Sequence, residues 1–234
     1  MSLTIVLTND DGIGAPGLVA LASAAACLGG RLVVVAPTVC HSGGAHRVTT
    51  DRPLVVHTIG PDRYAVDGTP ADCTRVALAV IVPEASIVLS GINAGGNLGI
   101  DTHHSGTVAA AREAALHGRR AIAASQYRRG TEINWQQAEA WLVRVLGLLE
   151  TIDLAPGEFW NVNLPDPPQN AAGDHLEPAV VECPVDPSPL GLGFRETSGG
   201  WQYSARYHDR PRVAGGDVDV CFGGRIALSR CRVV

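Results

Sequence analysis

Lysine is absent from this chain of 234 residues, in which all 18 basic side chains are arginine. A Walker P-loop needs a lysine on the β- and γ-phosphates, and a Schiff-base enzyme needs one as its nucleophile. Haloacid-dehalogenase-type phosphatases also place a lysine beside their aspartates. The missing lysine excludes the first two mechanisms and argues against the third.

Long apolar runs and excess positive charge are also missing. No stretch of about 18 apolar residues occurs, so no transmembrane helix and no membrane partner are expected. The first seven residues carry no basic segment of the kind that opens a signal peptide, which predicts a cytoplasmic protein. The net charge of −5 predicts no partner among nucleic acid polymers.

The six cysteines form no Cys-x-x-Cys pair. Zinc-ribbon and thioredoxin-like sites therefore lack their motif. Reduced thiols that act as small apolar side chains are the favoured interpretation, and they agree with a cytoplasmic location.

Short β-prone runs alternate with helical patterns over residues 1–165. The predicted strands are 3–7, 32–36, 87–89, 121–124 and 159–164, with a small hairpin between 47 and 66. Helices are predicted after the first strand, from Thr69, from Ser105 and over 134–149. This alternation predicts an α/β fold, a Rossmann-like three-layer sandwich with a mostly parallel sheet.

The composition changes after residue 165, since eight of the 15 prolines lie between Pro156 and Pro189. Residues 166–234 are predicted to form a β-rich extension with a C-terminal β-hairpin appendage. We expect the catalytic core of residues 1–165 and this extension to share one domain. We also expect the extension to be used in oligomerisation.

Polar side chains follow three successive strands. Asn9, Asp10 and Asp11 follow the first strand, Ser42 the second and Asn93 the third. Ligands of open α/β sheets bind beyond the carboxyl ends of the strands, and oxygen ligands select hard cations such as Mg²⁺, Mn²⁺ or Ca²⁺. Taken alone, Asn-Asp-Asp-Gly is equally the pattern of a plain β-turn.

Ser105, Gly106 and Thr107 open a predicted helix. The N-terminus of a helix suits a phosphate, although Ser105 also fits a simple capping role. His104, just before this segment, is a candidate general acid for the leaving alkoxide or an ordinary loop histidine.

Gly12, Gly14 and Gly17 form a loose dinucleotide-binding pattern. Asp10 and Asp11 precede it and would repel a pyrophosphate. No acidic residue ends the second strand, where Ala36-Pro37-Thr38 stand. A Rossmann oxidoreductase is therefore the weaker alternative, and a non-catalytic nucleotide sensor is a second one.

Ten segments together resemble the SurE family, the stationary-phase survival nucleotidases, in order and spacing over about 165 residues. They are Thr8-Asn9-Asp10-Asp11-Gly12-Ile13, Ala15-Pro16-Gly17-Leu18, Val35-Ala36-Pro37, Ser42-Gly43, Gly68-Thr69-Pro70-Ala71-Asp72-Cys73, Ser90-Gly91-Ile92-Asn93-Ala94-Gly95, Asn97-Leu98-Gly99, Ser105-Gly106-Thr107-Val108, Ala111-Arg112-Glu113 and Asn161-Val162-Asn163-Leu164-Pro165.

The resemblance implies one divalent metal per subunit, Mg²⁺ or Mn²⁺, with Ca²⁺ as a substitute in crystals. The implied metal ligands are Asp10, Asp11, Ser42 and Asn93, and the first two are the expected catalytic residues. Phosphate or substrate contacts are expected at Asn9, Gly43, Asn97, Ser105, Gly106 and Thr107.

The resemblance further implies hydrolysis of nucleoside 5′- and 3′-monophosphates by an acid-phosphatase-type 5′-nucleotidase, with exopolyphosphatase side activity in some members. A Rossmann-like core, an extended C-terminal hairpin and a homodimer or homotetramer are also implied. No side chain stands out as a covalent nucleophile, so attack by metal-activated water is expected. An aspartyl-phosphate on Asp10 is the chemical alternative.

Two positions depart from the family pattern. His104 stands where the family usually has tyrosine, and His41 where it usually has glutamine. The C-terminal third matches the family poorly. The resemblance therefore supports the predicted hairpin less than it supports the predicted site.

Overall fold

The computed structural model describes residues 3–130, 132–166 and 177–233, which form eleven strands and five α-helices. The strands are β1 (Thr4–Thr8), β2 (Arg31–Pro37), β3 (Val56–Gly60), β4 (Arg63–Val66), β5 (Ile87–Asn93), β6 (Arg120–Gln126), β7 (Glu158–Leu164), β8 (Val180–Glu182), β9 (Phe194–Thr197), β10 (Gly200–Tyr203) and β11 (Ile226–Arg232). The helices are α1 (Pro16–Ala25), α2 (Pro70–Val76), α3 (Gly106–Leu116), α4 (Trp135–Leu149) and α5 (Asp217–Phe222).

Nine strands form one sheet in the order β3-β4-β2-β1-β5-β6-β7-β11-β8. The six central strands, from β4 to β7, are parallel, while β3 and β11 run antiparallel to β4 and β7. The chain leaves β1 to build β2 on one side and returns to place β5 on the other. The gap beyond the carboxyl end of β1 is therefore the switch point where α/β sheets bind ligands.

Helices cover both faces of the sheet. Side chains of α1 and α4 pack on one face, and side chains of α2 and α3 pack on the other. The α/β fold and the three-layer arrangement predicted from the alternation of strands and helices are confirmed.

The helix predicted from Thr69 is also confirmed, since Thr69 caps α2. The hydroxyl of Thr69 accepts a hydrogen bond from the Asp72 amide, the Asp72 carboxylate accepts one from the Thr69 amide, and Pro70 occupies the first turn. One π-helical turn, Ala77–Ile81, extends α2. The third strand is longer than the predicted 87–89, since β5 continues to Asn93.

The C-terminal region combines two kinds of structure. Strands β9 and β10 form a separate antiparallel hairpin, as the predicted appendage requires. Strand β11 does not belong to it, because it pairs with β7 inside the main sheet, and the helix α5 was not predicted at all. Residues 167–176, which open the predicted extension, lie outside the described residues.

In the described part of the chain, no helix is long and apolar enough to cross a membrane.

Candidate functional site

The switch point beside β1 collects the residues predicted to bind metal and phosphate. Asp10 and Asp11 follow β1, Ser42 follows β2, and Asn93 is the last residue of β5. The helix α3 begins at the same edge of the sheet. Its first residues contact Asp10 directly.

The turn after β1 is closed by Asn9. Its side-chain amide donates to the carbonyl oxygen of Gly12 at 2.9 Å, and its Oδ1 accepts from the Gly12 amide at 3.2 Å. Gly12 has a φ of +103°, which an L side chain rarely adopts. Asn9 and Gly12 thereby fix the turn on which the two aspartates stand.

Asp10 is the most enclosed of the predicted metal ligands, since only 3% of its surface is exposed. The hydroxyl of Thr107 donates to its Oδ1 at 2.5 Å. A Cβ atom on Gly106 would lie 2.8 Å from the Asp10 Cβ and 3.0 Å from its Oδ2. The first turn of α3 therefore packs against this carboxylate and leaves no room for a side chain at residue 106.

The electrostatics of Asp10 favour a bound cation. Burial raises the pKa of Asp10, the hydrogen bond from Thr107 opposes that rise, and the neighbouring charge of Asp11 adds to it. The net effect is a pKa above the usual range. A cation between the two carboxylates would stabilise the ionised form that burial penalises.

Asp11 and Asn93 both form hydrogen bonds with the loop after β5. The amide of Ala94 donates to Asp11 Oδ2 at 3.3 Å, and the side-chain NH₂ of Asn93 donates to the carbonyl oxygen of Gly95 at 2.8 Å. Because the NH₂ group of Asn93 is used within the loop, its Oδ1 is the atom suited to a cation.

Ser42 lies on an exposed loop that is joined to Asp10 through the backbone. The amide of His41 donates to the carbonyl oxygen of Asp10 at 2.7 Å, and Gly43, at a φ of +71°, turns the loop. The Ser42 hydroxyl lies 3.0 Å from the thiol sulfur of Cys40. Burial, followed by the charge of Arg47, lowers the pKa of His41.

The far end of the Ser42 loop is fastened to α3 and α2. The amide of Ala45 donates to the carbonyl oxygen of His104 at 3.1 Å, and His46 Nε2 lies 2.7 Å from Glu113 Oε2. Asp72 accepts two hydrogen bonds from Thr49, at 2.8 and 2.7 Å. These contacts hold the loop beside the aspartates.

The remaining predicted residues make contacts within the protein. Ser105 caps α3 by accepting from the Val108 amide at 3.0 Å. The side-chain amide of Asn97 donates to Ser125 Oγ at 2.7 Å, and the side chain of His104 is exposed. Since the side chains of Asn9 and Asn97 both have partners in the protein, the substrate contacts predicted for them stay predictions.

The residues present fit a hard divalent cation. Within the described ranges neither Asp10 nor Asp11 forms an ion pair with a basic side chain. The described part of the chain contains no group of three or more His, Cys, Asp or Glu side chains that could hold a metal ion. Two carboxylates with neutral oxygen donors and no thiolate or imidazole cluster match Mg²⁺ or Mn²⁺ better than Zn²⁺.

Sequence reasoning missed two sets of contacts. The phosphate contact predicted for Thr107 stays a prediction, but the hydrogen bond from its hydroxyl to Asp10 was not predicted. Sequence reasoning also missed Asp101, which is bonded to Tyr207 and Arg210. Thr107 lies two residues after the helix cap and was predicted as a site residue, but no local pattern links it to Asp10, 97 positions away. Nor does a local pattern link Asp101 to Tyr207 and Arg210, which are more than 100 positions away.

This chain is similar to known proteins along most of its length. Residues 5–178 match the family model described as Survival protein SurE. A protein of Synechocystis sp., provisionally named a 5′-nucleotidase, is 49% identical over 232 residues, which cover 99% of this chain and 100% of that protein.

Two further relatives are more distant. The protein named 5′-nucleotidase SurE from Allorhizobium ampelinum is 43% identical over 168 residues, or 70% of this chain and 66% of its own length. The crystal structure of the SurE protein from Aquifex aeolicus superposes with a TM-score of 0.85 at 30% identity, covering 99% of this chain and 94% of that one.

Proposed function

Since the chain belongs to the SurE family of survival proteins, we propose that it hydrolyses nucleoside 5′- and 3′-monophosphates to nucleoside and phosphate. It is a hydrolase of the SurE 5′-nucleotidase type. The observation that carries the proposal is the contact of Asp10 with Thr107, which joins the carboxylate pair of Asp10 and Asp11 to the N-terminus of α3. Short polyphosphate is proposed as a second substrate.

The metal is proposed to be one Mg²⁺ or Mn²⁺ ion per subunit, held by Asp10, Asp11, Ser42 and Asn93. When bound, such an ion supplies an activated water and neutralises charge on the phosphate. Thr107 positions one oxygen of Asp10 for this role, and the Ala94 amide positions one oxygen of Asp11.

The phosphate is proposed to lie at the N-terminus of α3. A helix leaves the amide groups of its first turn without helical partners, and its dipole favours an anion there. Ser105 holds the first turn by its bond to the Val108 amide. A phosphate bound there would lie beside the two aspartates, and its binding would need no lysine.

The proton donor is proposed to be His104. Its side chain is exposed at the turn before Ser105, next to the proposed phosphate position. A group at that point can give a proton to the oxygen of the departing nucleoside.

The assembly is proposed to be a homodimer or homotetramer built through the β9–β10 hairpin. Phe194, Trp201 and Tyr203 are 57%, 70% and 51% exposed on this small hairpin. Exposed aromatic clusters of this kind are typical of interfaces. We also propose a cytoplasmic location, which the six free thiols support.

Phosphate release tests the proposal. Purified protein is given a panel of 5′- and 3′-nucleoside monophosphates with Mn²⁺, Mg²⁺ or a chelator, beside the variant Asp10→Asn. We expect release that depends on the metal and is lost in Asp10→Asn. Full activity with chelator or in Asp10→Asn would contradict the metal mechanism, and tight nucleotide binding without release would indicate a sensor instead.

A further inference from the structure

A segment near the C-terminus reaches back to the loop that precedes α3. The hydroxyl of Tyr207 lies 2.9 Å from Asp101 Oδ2 and 3.2 Å from the carbonyl oxygen of Gly96. Arg210 Nη1 donates to the same Asp101 Oδ2 at 2.5 Å. Tyr207 and Arg210 also contact each other, since the guanidinium carbon lies 5.2 Å from the ring centroid.

This ion pair is enclosed. The side chain of Arg210 is 3% exposed and that of Asp101 is 17% exposed. Without its carboxylate the buried guanidinium would be left uncompensated, which is strongly unfavourable, so the ion pair holds the two segments together. Other ion pairs in the described part of the chain join side chains of which at least one is more than one-fifth exposed.

Asp101 is also the backbone support of the turn that opens α3. Its carbonyl oxygen accepts from the His104 amide at 2.9 Å and from the Ser105 amide at 3.0 Å. Ser105 caps α3, and Thr107, two residues later, bonds to Asp10. A continuous set of contacts thus runs from Arg210 through Asp101 to the proposed phosphate and metal ligands.

The same loop is held at further points by the C-terminal region. Asp217, the first residue of α5, accepts from the Gly99 amide at 2.9 Å. Leu98 is fully buried in a cluster with Val218 and Phe222. The position of the loop therefore depends on residues beyond 178, where the match to the family model ends.

We propose that Arg210 and Tyr207 are positioning residues that fix the N-terminus of α3 for phosphate binding by holding Asp101. This inference rests on the proposed function, because it assigns their role in the same site. Neither side chain is proposed to touch the substrate.

The variants Arg210→Met, Arg210→Lys and Tyr207→Phe of the full chain test the proposal. Arg210→Met removes the charge, Arg210→Lys keeps it, and Tyr207→Phe removes only the hydroxyl. Arg230→Met is the matched control, because Arg230 pairs at 3.4 Å with Glu158, a carboxylate 5% exposed at the opposite edge of the sheet.

The first measurement is hydrogen exchange at the amides of His104 and Ser105, which does not depend on catalysis. We expect exchange to become at least about tenfold faster in Arg210→Met and to change less in Arg210→Lys and Tyr207→Phe. Unchanged exchange in Arg210→Met, or an equal rise in Arg230→Met, would overturn the inference. If Arg210→Met does not fold, the same comparison is made with the two milder variants.

The second measurement is kinetic. With Mn²⁺ and a nucleoside monophosphate that the wild type hydrolyses, we expect kcat/KM to fall about tenfold or more in Arg210→Met. The inhibition constant of inorganic phosphate should also rise in Arg210→Met. Arg210→Lys should recover most of the lost kcat/KM, and Arg230→Met should match the wild type. If the wild type releases no phosphate from any monophosphate, the proposed function is wrong, and the exchange rates alone decide the positioning role.

Discussion

The Thr107 hydroxyl lies 2.5 Å from Oδ1 of Asp10, and it joins the first turn of α3 to the carboxylate that follows β1. The two residues are 97 positions apart in the chain, and Thr107 is fully buried while Asp10 is 3% exposed. One oxygen of Asp10 is thereby fixed by a neutral donor. The carboxylate is therefore oriented for the cation that the site is proposed to hold.

Thr107→Val is expected to reduce Mn²⁺-dependent phosphate release about 10- to 100-fold, because partners that orient a metal ligand have effects of this size. Valine keeps the shape of threonine but cannot donate to Asp10. Thr107→Ser keeps the hydroxyl and should retain most of the activity. Kinetics and calorimetric titration with Mn²⁺ check the prediction, and equal losses in both variants would refute it.

Gly106→Ala is expected to abolish metal-dependent activity while the protein stays folded. The added methyl group would lie 2.8 Å from Asp10 Cβ, a contact that forces the carboxylate or the helix to move. Gly147→Ala is the control, because a Cβ atom there meets nothing within 4 Å. Gly147 lies inside α4, so alanine should raise the free energy of unfolding by roughly 0.5–1 kcal/mol. Activity assays and denaturant unfolding measure both effects.

Asp72→Asn is expected to lower the free energy of unfolding by about 2 kcal/mol near neutral pH. Burial alone would raise the pKa of Asp72, but hydrogen bonds from Thr49 and Thr69 hold it below the usual value. The stabilisation by the ionised carboxylate is therefore complete above the unfolded pKa of about 3.9 and is lost as the pH falls toward the lower folded pKa.

Denaturant unfolding of wild type and Asp72→Asn across pH 2–7 (roughly the span of carboxylate titration) checks this sign. The difference between the two proteins should shrink as the pH falls below about 4. A difference that stays constant, or grows, on acidification would show that the hydrogen bonds do not favour the charged form.

His104→Ala is expected to slow hydrolysis of nucleoside monophosphates about 100-fold, as the loss of a general acid does. It should barely affect p-nitrophenyl phosphate, because nitrophenolate leaves without a proton. His103→Ala, which alters the adjacent exposed histidine, is the control. An equal loss on both substrates would remove His104 from the role of proton donor.

Trp201→Ser is expected to shift the protein toward the monomer in sedimentation velocity if the β9–β10 hairpin forms the subunit contact. The side chain is 70% exposed, so its loss should change the free energy of unfolding of one subunit by no more than about 0.5 kcal/mol. Val80→Ser, at a 72% exposed position on the π-helical turn, should leave the assembly unchanged. An unchanged oligomer in Trp201→Ser would count against the hairpin.

Local patterns were sufficient to predict the core of the fold. Buried parallel strands are nearly continuous β-branched runs, and the Thr69-Pro70-Ala71-Asp72 capping pattern is complete in four residues. Strand β11 was misplaced because Ile226–Arg232 has the alternation of any half-buried strand, and its pairing with β7 is decided by residues more than 60 positions away. The short helix α5 has too few turns to show a helical period.

The sequence by itself determined that Asp10, Asp11, Ser42 and Asn93 would lie at or after the carboxyl ends of three strands of a parallel sheet. Strand ends are encoded locally, and parallel strands bring their carboxyl ends to one edge. Only the tertiary structure decided which groups support the two aspartates and the loop before α3. Thr107 contacts Asp10, the Ala94 amide contacts Asp11, and Arg210 contacts Asp101. Those contacts join residues 83 to 109 positions apart, and their geometry depends on how the layers pack rather than on any pattern within one segment.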